Sequence, residues 1–286
     1  MKCALMLIVV AACGSSAALP DAAPLGGDRP VGLQAPPSIE SGKTYPLILI
    51  LHGYGANGFV QQRVFHMADE PKTRGAFVMA PDGLVDSTGH SYWNADAACC
   101  DLDHTGNDDV AYLGGLLDRV IAEHPIDRSR VFVIGHSNGA WMAYRLACDR
   151  ADVVTDIVAL AGAASSMPSS CNPVKPVSVL HMHGTADQEV PYAGADAGGL
   201  HVPGAVESVA VWAAHDQCSG ALTPGAKVDI ESNLAGDETQ ENATAGCPPN
   251  LAADLWTIEG GVHLPNFGDA IEPDLWAWLD AHPRAQ

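Results

Sequence analysis

The sequence predicts one three-layer α/β domain, in which helices cover both faces of a mostly parallel sheet. Short apolar runs rich in β-branched residues, typical of strands buried on both faces, alternate with amphipathic stretches of helical spacing. The 286 residues, 47% of them hydrophobic, are enough to form a large core. No internal repeat or linker divides the chain.

The alternation of strands and helices can be followed along the chain. The predicted buried strands are Tyr45–Leu51, Ala76–Ala80, Arg130–Ile134, Thr155–Leu160, Val177–His181 and Asp254–Ile258. The predicted helices are Asp109–His124, Asn138–Asp149, Ala205–His215 and Pro273–Ala281. In such a sheet the crossovers are right-handed, and the functional site lies at the carboxyl ends of the strands.

The first 30 residues indicate export. Residues 1–12 combine a minimal positive start with an apolar run too short to span a bilayer, and they are predicted to be a signal peptide. Val10–Cys13 resembles a bacterial lipobox, which would leave Cys13 lipidated; cleavage near Ala17 is the alternative. Residues 13–30 are predicted to be a lipidated or flexible tether, and residues 31–286 the single folded domain. We therefore expect an extracellular or cell-envelope protein, anchored at Cys13.

The charge of the chain excludes a nucleic-acid binder. Against 34 acidic residues stand 14 basic ones, so the formal net charge is −20. Binding to phosphates or to anionic lipid needs a basic face, and no Lys/Arg cluster occurs in this sequence. We expect a monomer that contacts a membrane only through the lipid anchor.

Six cysteines remain beyond the predicted leader, an even number that suits an oxidising compartment. Six cysteines allow 15 pairings. We predict one disulfide between Cys218 and Cys247 and another between Cys148 and Cys171. The adjacent Cys99 and Cys100 then either bridge each other or remain thiols.

A candidate nucleophile follows the strand that ends at Ile134. Gly135-His136-Ser137-Asn138-Gly139 is a G-x-S-x-G sequence between a predicted strand and a predicted helix, the context of a nucleophile elbow. The glycines allow a strained turn and a close approach of strand and helix. Ser137 is therefore the candidate nucleophile; a simple helix N-cap is the alternative.

A serine nucleophile needs a base and an acid that orients the base. Asp187 lies in the loop after the Val177–His181 strand, and His263 lies in the glycine-containing loop after the Asp254–Ile258 strand. Their chain order, Ser then Asp then His, fits a catalytic triad. Asp187 is expected to fix the tautomer of His263, which takes the proton of Ser137.

The oxyanion of such a reaction needs two backbone N–H groups. Asn138 supplies one at the start of a helix, where the dipole also favours negative charge. The other is assigned to Tyr54, in the glycine-rich segment 52–58. Tyr92 and Trp93 are predicted to line the substrate cleft.

Seven segments together resemble the polyhydroxybutyrate depolymerase and feruloyl esterase group of secreted serine esterases, a carbohydrate esterase family 1-like group of the α/β-hydrolase fold. They are HGYGANG at 52–58, APDG at 80–83, YWNADAACC at 92–100, DDVAYL at 108–113, GHSNGAWM at 135–142, HMHGTADQEVPY at 181–192 and IEGGVH at 258–263. The resemblance implies Ser137, Asp187 and His263 as the triad. It implies an ester substrate, either a polyhydroxybutyrate-type oligoester or a feruloyl or acetyl ester of plant polysaccharide.

Neither a metal nor a cofactor is expected. The loop from Asp101 to Asp109 partly follows a calcium-binding spacing, but Tyr112 stands where the bidentate Glu belongs. His181 and His183 are expected to pack and hydrogen-bond near Asp187 rather than to bind a metal. A different class of function remains open, that of a catalytically silent surface lipoprotein that binds polymer or glycan.

Overall fold

Strands and helices alternate along residues 24–285, the part of the chain that the computed structural model describes. The strands are β1 (Leu33–Gln34), β2 (Tyr45–Leu51), β3 (Phe77–Met79), β4 (Leu84–Val85), β5 (Ser91–Tyr92), β6 (Ile126–His136), β7 (Asp156–Leu160), β8 (Ser178–Gly184), β9 (Gly194–Ala197), β10 (Leu200–Pro203), β11 (Leu222–Val228), β12 (Thr239–Thr244) and β13 (Ala253–Ile258). The α-helices are α1 (Gly58–Val64), α2 (Glu70–Thr73), α3 (Asp109–Glu123), α4 (Asn138–Asp149), α5 (Ala205–His215) and α6 (Ile271–Ala281).

Nine strands form the central sheet, in the order β1-β3-β2-β6-β7-β8-β13-β12-β11. The six from β3 to β13 in this order are parallel. The strands at the two edges, β1 on one side and the β12–β11 hairpin on the other, are antiparallel to their neighbours. The sequence-based prediction of a mostly parallel α/β sheet is therefore confirmed.

The helices cover both faces of this sheet. Along β2, Leu47 and Leu49 pack with α3 and α4, whereas Ile48 and Ile50 face the side covered by α6. Successive side chains of a strand point to opposite faces, so a strand buried on both sides is apolar throughout. This explains why all seven residues of β2 are buried. Helix α5 packs against β8 and β13. Its Trp212 contacts Tyr144 of α4.

The sequence did not predict the hairpin of β11 and β12. Most side chains of β11 are exposed, and Pro224 and Gly225 lie within it. Proline and glycine are tolerated at a sheet edge, where the ladder has only one partner. Without an apolar run or regular alternation, such a strand carries no sequence signal.

The folded part of the chain begins earlier than the predicted boundary at residue 31. Arg29 donates a 2.6 Å hydrogen bond to the buried carboxylate of Asp109, and its guanidinium stacks 3.5 Å from the ring centroid of Tyr112. Leu25 packs against the core. Residues 24–30 therefore lie on α3 instead of forming a free tether, because a buried carboxylate needs a cationic partner. The predicted signal peptide and Cys13 lie outside the described residues.

Three disulfides lie within the described residues. They join Cys148 to Cys171, Cys218 to Cys247, and the neighbours Cys99 and Cys100. Among residues 24–285, no helix combines the length and the apolar character that crossing a bilayer requires.

Candidate active site

Ser137 occupies a sharp turn between β6 and α4. Its backbone has φ 52° and ψ −123°, a conformation that is costly for any residue with a side chain. The Ser137 N–H donates a 2.8 Å hydrogen bond to the Leu160 carbonyl of the neighbouring strand. Such a strained conformation is found at functional sites, where the surrounding structure enforces it. The structure thus gives the predicted nucleophile the backbone geometry of an elbow.

Two glycines make this turn sterically feasible. A Cβ at Gly135 would lie 2.1 Å from the Gly139 carbonyl oxygen, and a Cβ at Gly139 would lie 2.3 Å from that of Leu51. Both contacts are with backbone, which cannot move aside as a flexible side chain can. The G-x-S-x-G spacing therefore reflects the close packing of α4 on β6 and β2.

The loops after β8 and β13 are joined, and this brings the predicted acid and base together. The Ala186 N–H donates to the Gly261 carbonyl at 2.9 Å, and the Gly260 N–H donates to the Thr185 hydroxyl at 2.8 Å. A Cβ at Gly184 would lie 2.2 Å from the Gly261 carbonyl oxygen. Glycine at position 184 is therefore required for the two loops to meet.

Asp187 and His263 form a buried hydrogen-bonded pair. His263 Nδ1 donates to Asp187 Oδ2 at 2.8 Å, and Asp187 Oδ1 accepts from the Glu189 and Val190 N–H groups, each at 2.9 Å. Burial by itself would raise the pKa of Asp187, but hydrogen bonds from His183, His263 and the Val190 N–H outweigh it and hold the pKa well below its usual range. Asp187 is therefore a carboxylate that fixes the Nδ1–H tautomer of His263.

The other ring nitrogen of His263 is free to act as a base. His263 and Ser137 line the same cavity, whose volume is about 340 Å³. Ser137 Oγ makes no hydrogen bond to the described residues, and catalytic contacts often tighten only when substrate binds. The nearest carboxylate to His263 Nε2 is that of Glu189, at 3.8 Å, whose side chain is 76% exposed.

His136, the residue before Ser137, contacts the loop of the predicted base. Its Nε2–H donates to the His263 carbonyl at 3.0 Å, and the two rings lie 4.9 Å apart. Burial, with a smaller contribution from the charge of His263, lowers the pKa of His136 to about 4. His136 is therefore an uncharged donor at neutral pH. This role carries no signal in the sequence, because it depends on a contact between residues 127 positions apart.

The segments that carry the two predicted oxyanion donors both adjoin Ser137. A Cβ at Gly53 would lie 3.3 Å from Ser137 Cβ, which places the segment that carries Tyr54 beside the nucleophile. Within the described residues, neither the Tyr54 N–H nor the Asn138 N–H donates a hydrogen bond to another protein atom. Two amides without protein partners beside a serine fit an oxyanion hole.

Side-chain contacts hold both amides in place. The Asn138 side chain accepts from the Trp93 N–H at 2.7 Å and donates to the Trp93 carbonyl at 2.9 Å. The indole N–H of Trp93 donates to the His52 carbonyl at 3.0 Å. His52 donates through Nδ1 to the Gly53 carbonyl and accepts the Gly83 N–H at Nε2. Trp93 thus connects the helix start with the glycine-rich segment.

The prediction that Tyr92 and Trp93 line the cleft is wrong. Trp93 is fully buried, with the contacts just described, and Tyr92 is 1% exposed. The Tyr92 hydroxyl hydrogen-bonds to Thr105 and Asn107 at 2.7 and 2.9 Å. The ring of Tyr92 therefore holds the acidic loop instead of facing substrate.

The cleft wall is mostly apolar and is formed by residues that were not predicted to line it. Trp141, four residues after Ser137, lies on the first turn of α4, and Leu102 projects from the acidic loop with 65% of its surface exposed. The remaining lining includes the Cys99–Cys100 bridge, Val190, Pro191, Ala195 and Val202. A wall of this kind suits an uncharged acyl or aryl group.

The acidic loop satisfies its own polar groups. Asp101 accepts the N–H groups of Thr105 and Gly106 at 2.9 and 2.7 Å. Among residues 24–285, no three His, Cys, Asp or Glu side chains are grouped so that they could hold a metal ion.

A strained serine at a strand–helix elbow and a buried Asp–His pair at the ends of parallel strands define the α/β-hydrolase class. Residues 37–198, more than half of the chain, match the phospholipase/carboxylesterase family. The chain belongs to this family.

Known proteins of similar sequence include fungal feruloyl esterases. Feruloyl esterase B of Piromyces equi is 25% identical over 254 residues, which are 84% of this chain and 43% of that protein. Feruloyl esterase D of Neurospora crassa is 24% identical over 269 residues, 88% of this chain and 79% of that protein. The chain spans less than half of the length of several curated relatives that it matches, feruloyl esterase B among them.

The fold is shared with solved esterase structures. Acetyl xylan esterase from Aspergillus awamori superposes with a TM-score of 0.61 at 14% identity, covering 89% of this chain and 96% of that one. Esterase PE8 gives a TM-score of 0.55 at 15% identity, covering 88% of this chain and 98% of the other. At these identities the likeness is one of fold.

Proposed function

We propose that the protein is a serine carboxylic ester hydrolase that works through an acyl-enzyme on Ser137. The observation that carries this proposal is the 2.8 Å hydrogen bond between Asp187 and His263 in the cavity that also contains the strained Ser137. In the neutral ring this bond places the proton on Nδ1, so that Nε2 is the acceptor. A base in this state beside a serine is the requirement for nucleophilic catalysis.

The reaction proceeds in two steps, acylation and then deacylation of Ser137. His263 Nε2 takes the hydroxyl proton as Ser137 Oγ attacks the ester carbonyl, and the Tyr54 and Asn138 N–H groups stabilise the oxyanion. Collapse of the tetrahedral intermediate breaks the ester C–O bond, and His263 protonates the departing alcohol. A water molecule then attacks the acyl carbonyl, and His263 takes its proton as the base. The bond from the acyl carbon to Ser137 Oγ breaks, His263 returns the proton to that oxygen, and the carboxylic acid leaves. No cofactor enters these steps.

We propose uncharged esters as the substrate class: feruloyl or acetyl esters of plant polysaccharide, or polyhydroxybutyrate-type oligoesters. The apolar wall of Trp141, Leu102 and Val202 supports an acyl or aryl group, and Glu189 at the cavity disfavours anionic substrates. The similarity to feruloyl esterases supports the polysaccharide esters. Hydrolysis of methyl ferulate, acetylated xylan and hydroxybutyrate oligomers, each beside the Ser137→Ala variant, tests the assignment.

We also propose that the chain is exported and anchored through Cys13. The three disulfides support an oxidising compartment. Metabolic labelling with a radioactive fatty acid, in the parent and in Cys13→Ala, tests the anchor. Label in the parent alone supports it, and equal label in both contradicts it.

The alternative is a silent lipoprotein that binds polymer or glycan. No described feature of the cleft favours it over the enzyme. Hydrolysis by the parent that Ser137→Ala abolishes would exclude it, whereas polymer binding without hydrolysis would favour it.

A further inference from the structure

A row of buried polar side chains connects helix α4 with the predicted triad. Tyr144 lies on α4, and His181 and His183 lie two residues apart on β8, so that they share one face of the sheet. Tyr144 is 3% exposed, and both histidines are fully buried. None of the three contacts the cavity that contains Ser137, and the mechanism above does not use them.

Each member of the row is within hydrogen-bond distance of the next. The Tyr144 hydroxyl is 2.9 Å from His181 Nδ1, and His181 Nε2 is 3.0 Å from His183 Nδ1. His183 Nε2 is 2.8 Å from the Val190 carbonyl oxygen and 3.3 Å from Asp187 Oδ2. The row therefore ends on the carboxylate oxygen that accepts from His263.

The proton positions along this row follow from its last contact. A carbonyl and a carboxylate only accept, so His183 Nε2 must carry a proton. In a neutral ring, His183 Nδ1 is then an acceptor, and His181 must donate to it from Nε2. His181 Nδ1 is left as an acceptor, to which the Tyr144 hydroxyl donates. Every hydrogen bond points the same way, toward Asp187.

We propose that Tyr144, His181 and His183 form a one-directional hydrogen-bonded chain that positions Asp187 and fixes its hydrogen bonding toward His263. In this account, His183 is a positioning residue, since it contacts neither substrate nor the reacting atoms. The part that concerns catalysis rests on the proposed function. The directions of the hydrogen bonds do not.

Burial favours the neutral forms of two members of the row, His181 and Tyr144. It lowers the pKa of His181 well below the usual value and raises the pKa of Tyr144, so an imidazole and a phenol are the forms present at neutral pH. The hydrogen bond from His183 is the largest of the contributions that lower the pKa of Asp187 against the effect of burial. Together with His263 and the Val190 N–H, the row thus helps to keep the carboxylate ionised against the effect of burial.

Asp187 and His263 have few other titratable neighbours. His183 faces Asp187 from β8, His136 faces His263 from the elbow, and Glu189 faces it from the loop after β8. Because the Glu189 carboxylate is mostly exposed, solvent screens its effect. A change in the pH profile after substitution of His183 alone therefore reports on Asp187 and His263.

The first test is independent of activity. Long-range 1H–15N NMR spectra of the full chain labelled at histidine distinguish the two neutral tautomers, and substitution of each histidine by glutamine assigns its signals. We expect His181 and His183 to carry their ring proton at Nε2 at neutral pH. Protonation of either ring at Nδ1, or as imidazolium at pH 7, would overturn the proposal even if the protein were a fully active esterase.

The second test compares two polar substitutions of His183. Glutamine places its amide N–H near the position of Nε2 and keeps the donor to Val190 and Asp187. Asparagine reaches only the Nδ1 position, so it keeps the contact with His181 and loses that donor. Near-ultraviolet circular dichroism is the check that each variant is folded.

With p-nitrophenyl butyrate, we expect His183→Asn to lower kcat about tenfold with KM within about twofold. The acid limb of its kcat/KM profile should move to higher pH, because a carboxylate with one donor fewer stabilises protonated His263 more strongly. His183→Gln should keep the wild-type limb and at least about a third of kcat. If the acid limb does not move in His183→Asn, or if both variants lose kcat equally, the row serves packing alone. Absence of activity in the wild-type protein would refute the proposed function. The tautomer test would then decide whether the three side chains form the one-directional row of hydrogen bonds.

Discussion

The imidazole of His136 donates a 3.0 Å hydrogen bond to the backbone carbonyl of His263. The elbow that presents the candidate nucleophile therefore also holds the loop of the candidate base. Because His136 is buried and its pKa is lowered to about 4, the contact keeps a neutral donor at neutral pH.

Removal of this donor should loosen the base loop. We expect His136→Leu to lower kcat about tenfold with little change in KM, since small displacements of a catalytic group are costly and ground-state binding is untouched. His136→Gln, which can still donate, should retain most of the activity. Steady-state kinetics of both variants test this. Equal activity in His136→Leu and wild type would show that the loop needs no such support.

Alanine at Gly139 should destabilise the fold. Its Cβ would lie 2.3 Å from the Leu51 carbonyl oxygen, and backbone must shift to relieve the contact. Overpacking of this kind costs about 1–3 kcal/mol. Gly115→Ala is the matched control, because position 115 on α3 has open space around it and alanine favours helices by about 0.5–1 kcal/mol. Thermal unfolding should show a lower Tm for Gly139→Ala and an equal or higher Tm for Gly115→Ala; the reverse order would contradict the packing described.

Asp216 should make the protein less stable as the pH rises. Burial raises its pKa to about 7, against the opposing effects of the Val177 N–H and Arg284, whereas an unfolded aspartate titrates near 4. Between these values the folded state holds a proton that the unfolded state has lost. The free energy of unfolding therefore falls with rising pH in this window, by up to about 1.4 kcal/mol per pH unit.

Asp216→Asn should reduce that slope and be more stable than wild type at pH 8, with little difference at pH 4. Asp237→Asn, at an exposed position, is the control and should follow the wild-type curve. Urea unfolding from pH 4 to pH 8 measures both. Parallel curves for wild type and Asp216→Asn would show that the native carboxyl group is ionised throughout.

The sequence predicted the positions of the candidate triad better than the residues that line the cleft. Ser137, Asp187 and His263 follow three different strands, and the rule that parallel strands end at one edge was enough to place them together. Tyr92 and Trp93 were misassigned because an aromatic pair beside a motif carries no information about which way it faces. Their partners, Asn138 and Thr105, are found only when the loop is folded. The edge hairpin of β11 and β12 was missed for a related reason. Most side chains of β11 are exposed, so the strand shows no pattern of apolar residues.

Substitutions of Leu102 and Tyr92 should distinguish a residue that lines the cleft from one that holds the acidic loop. Leu102→Ala removes an exposed apolar side chain from the wall and should raise KM for methyl ferulate several-fold while leaving Tm nearly unchanged. Tyr92→Phe removes the hydroxyl that holds Thr105 and Asn107 and should lower stability by about 1 kcal/mol with KM unchanged. Steady-state kinetics and thermal unfolding of both variants measure the expected changes in KM and Tm. A raised KM in Tyr92→Phe with an unchanged Tm would show that Tyr92 lines the cleft after all.

The central claim is that Ser137 forms an acyl-enzyme with an ester substrate. The most direct measurement is hydrolysis of p-nitrophenyl acetate and butyrate by residues 14–286, produced under oxidising conditions, with mass spectrometry of protein quenched during turnover. The account predicts hydrolysis and an added acyl mass on the peptide that contains Ser137, with both lost in Ser137→Ala. A folded, disulfide-intact protein that shows neither hydrolysis nor acylation, or a Ser137→Ala variant as active as the parent, would contradict it.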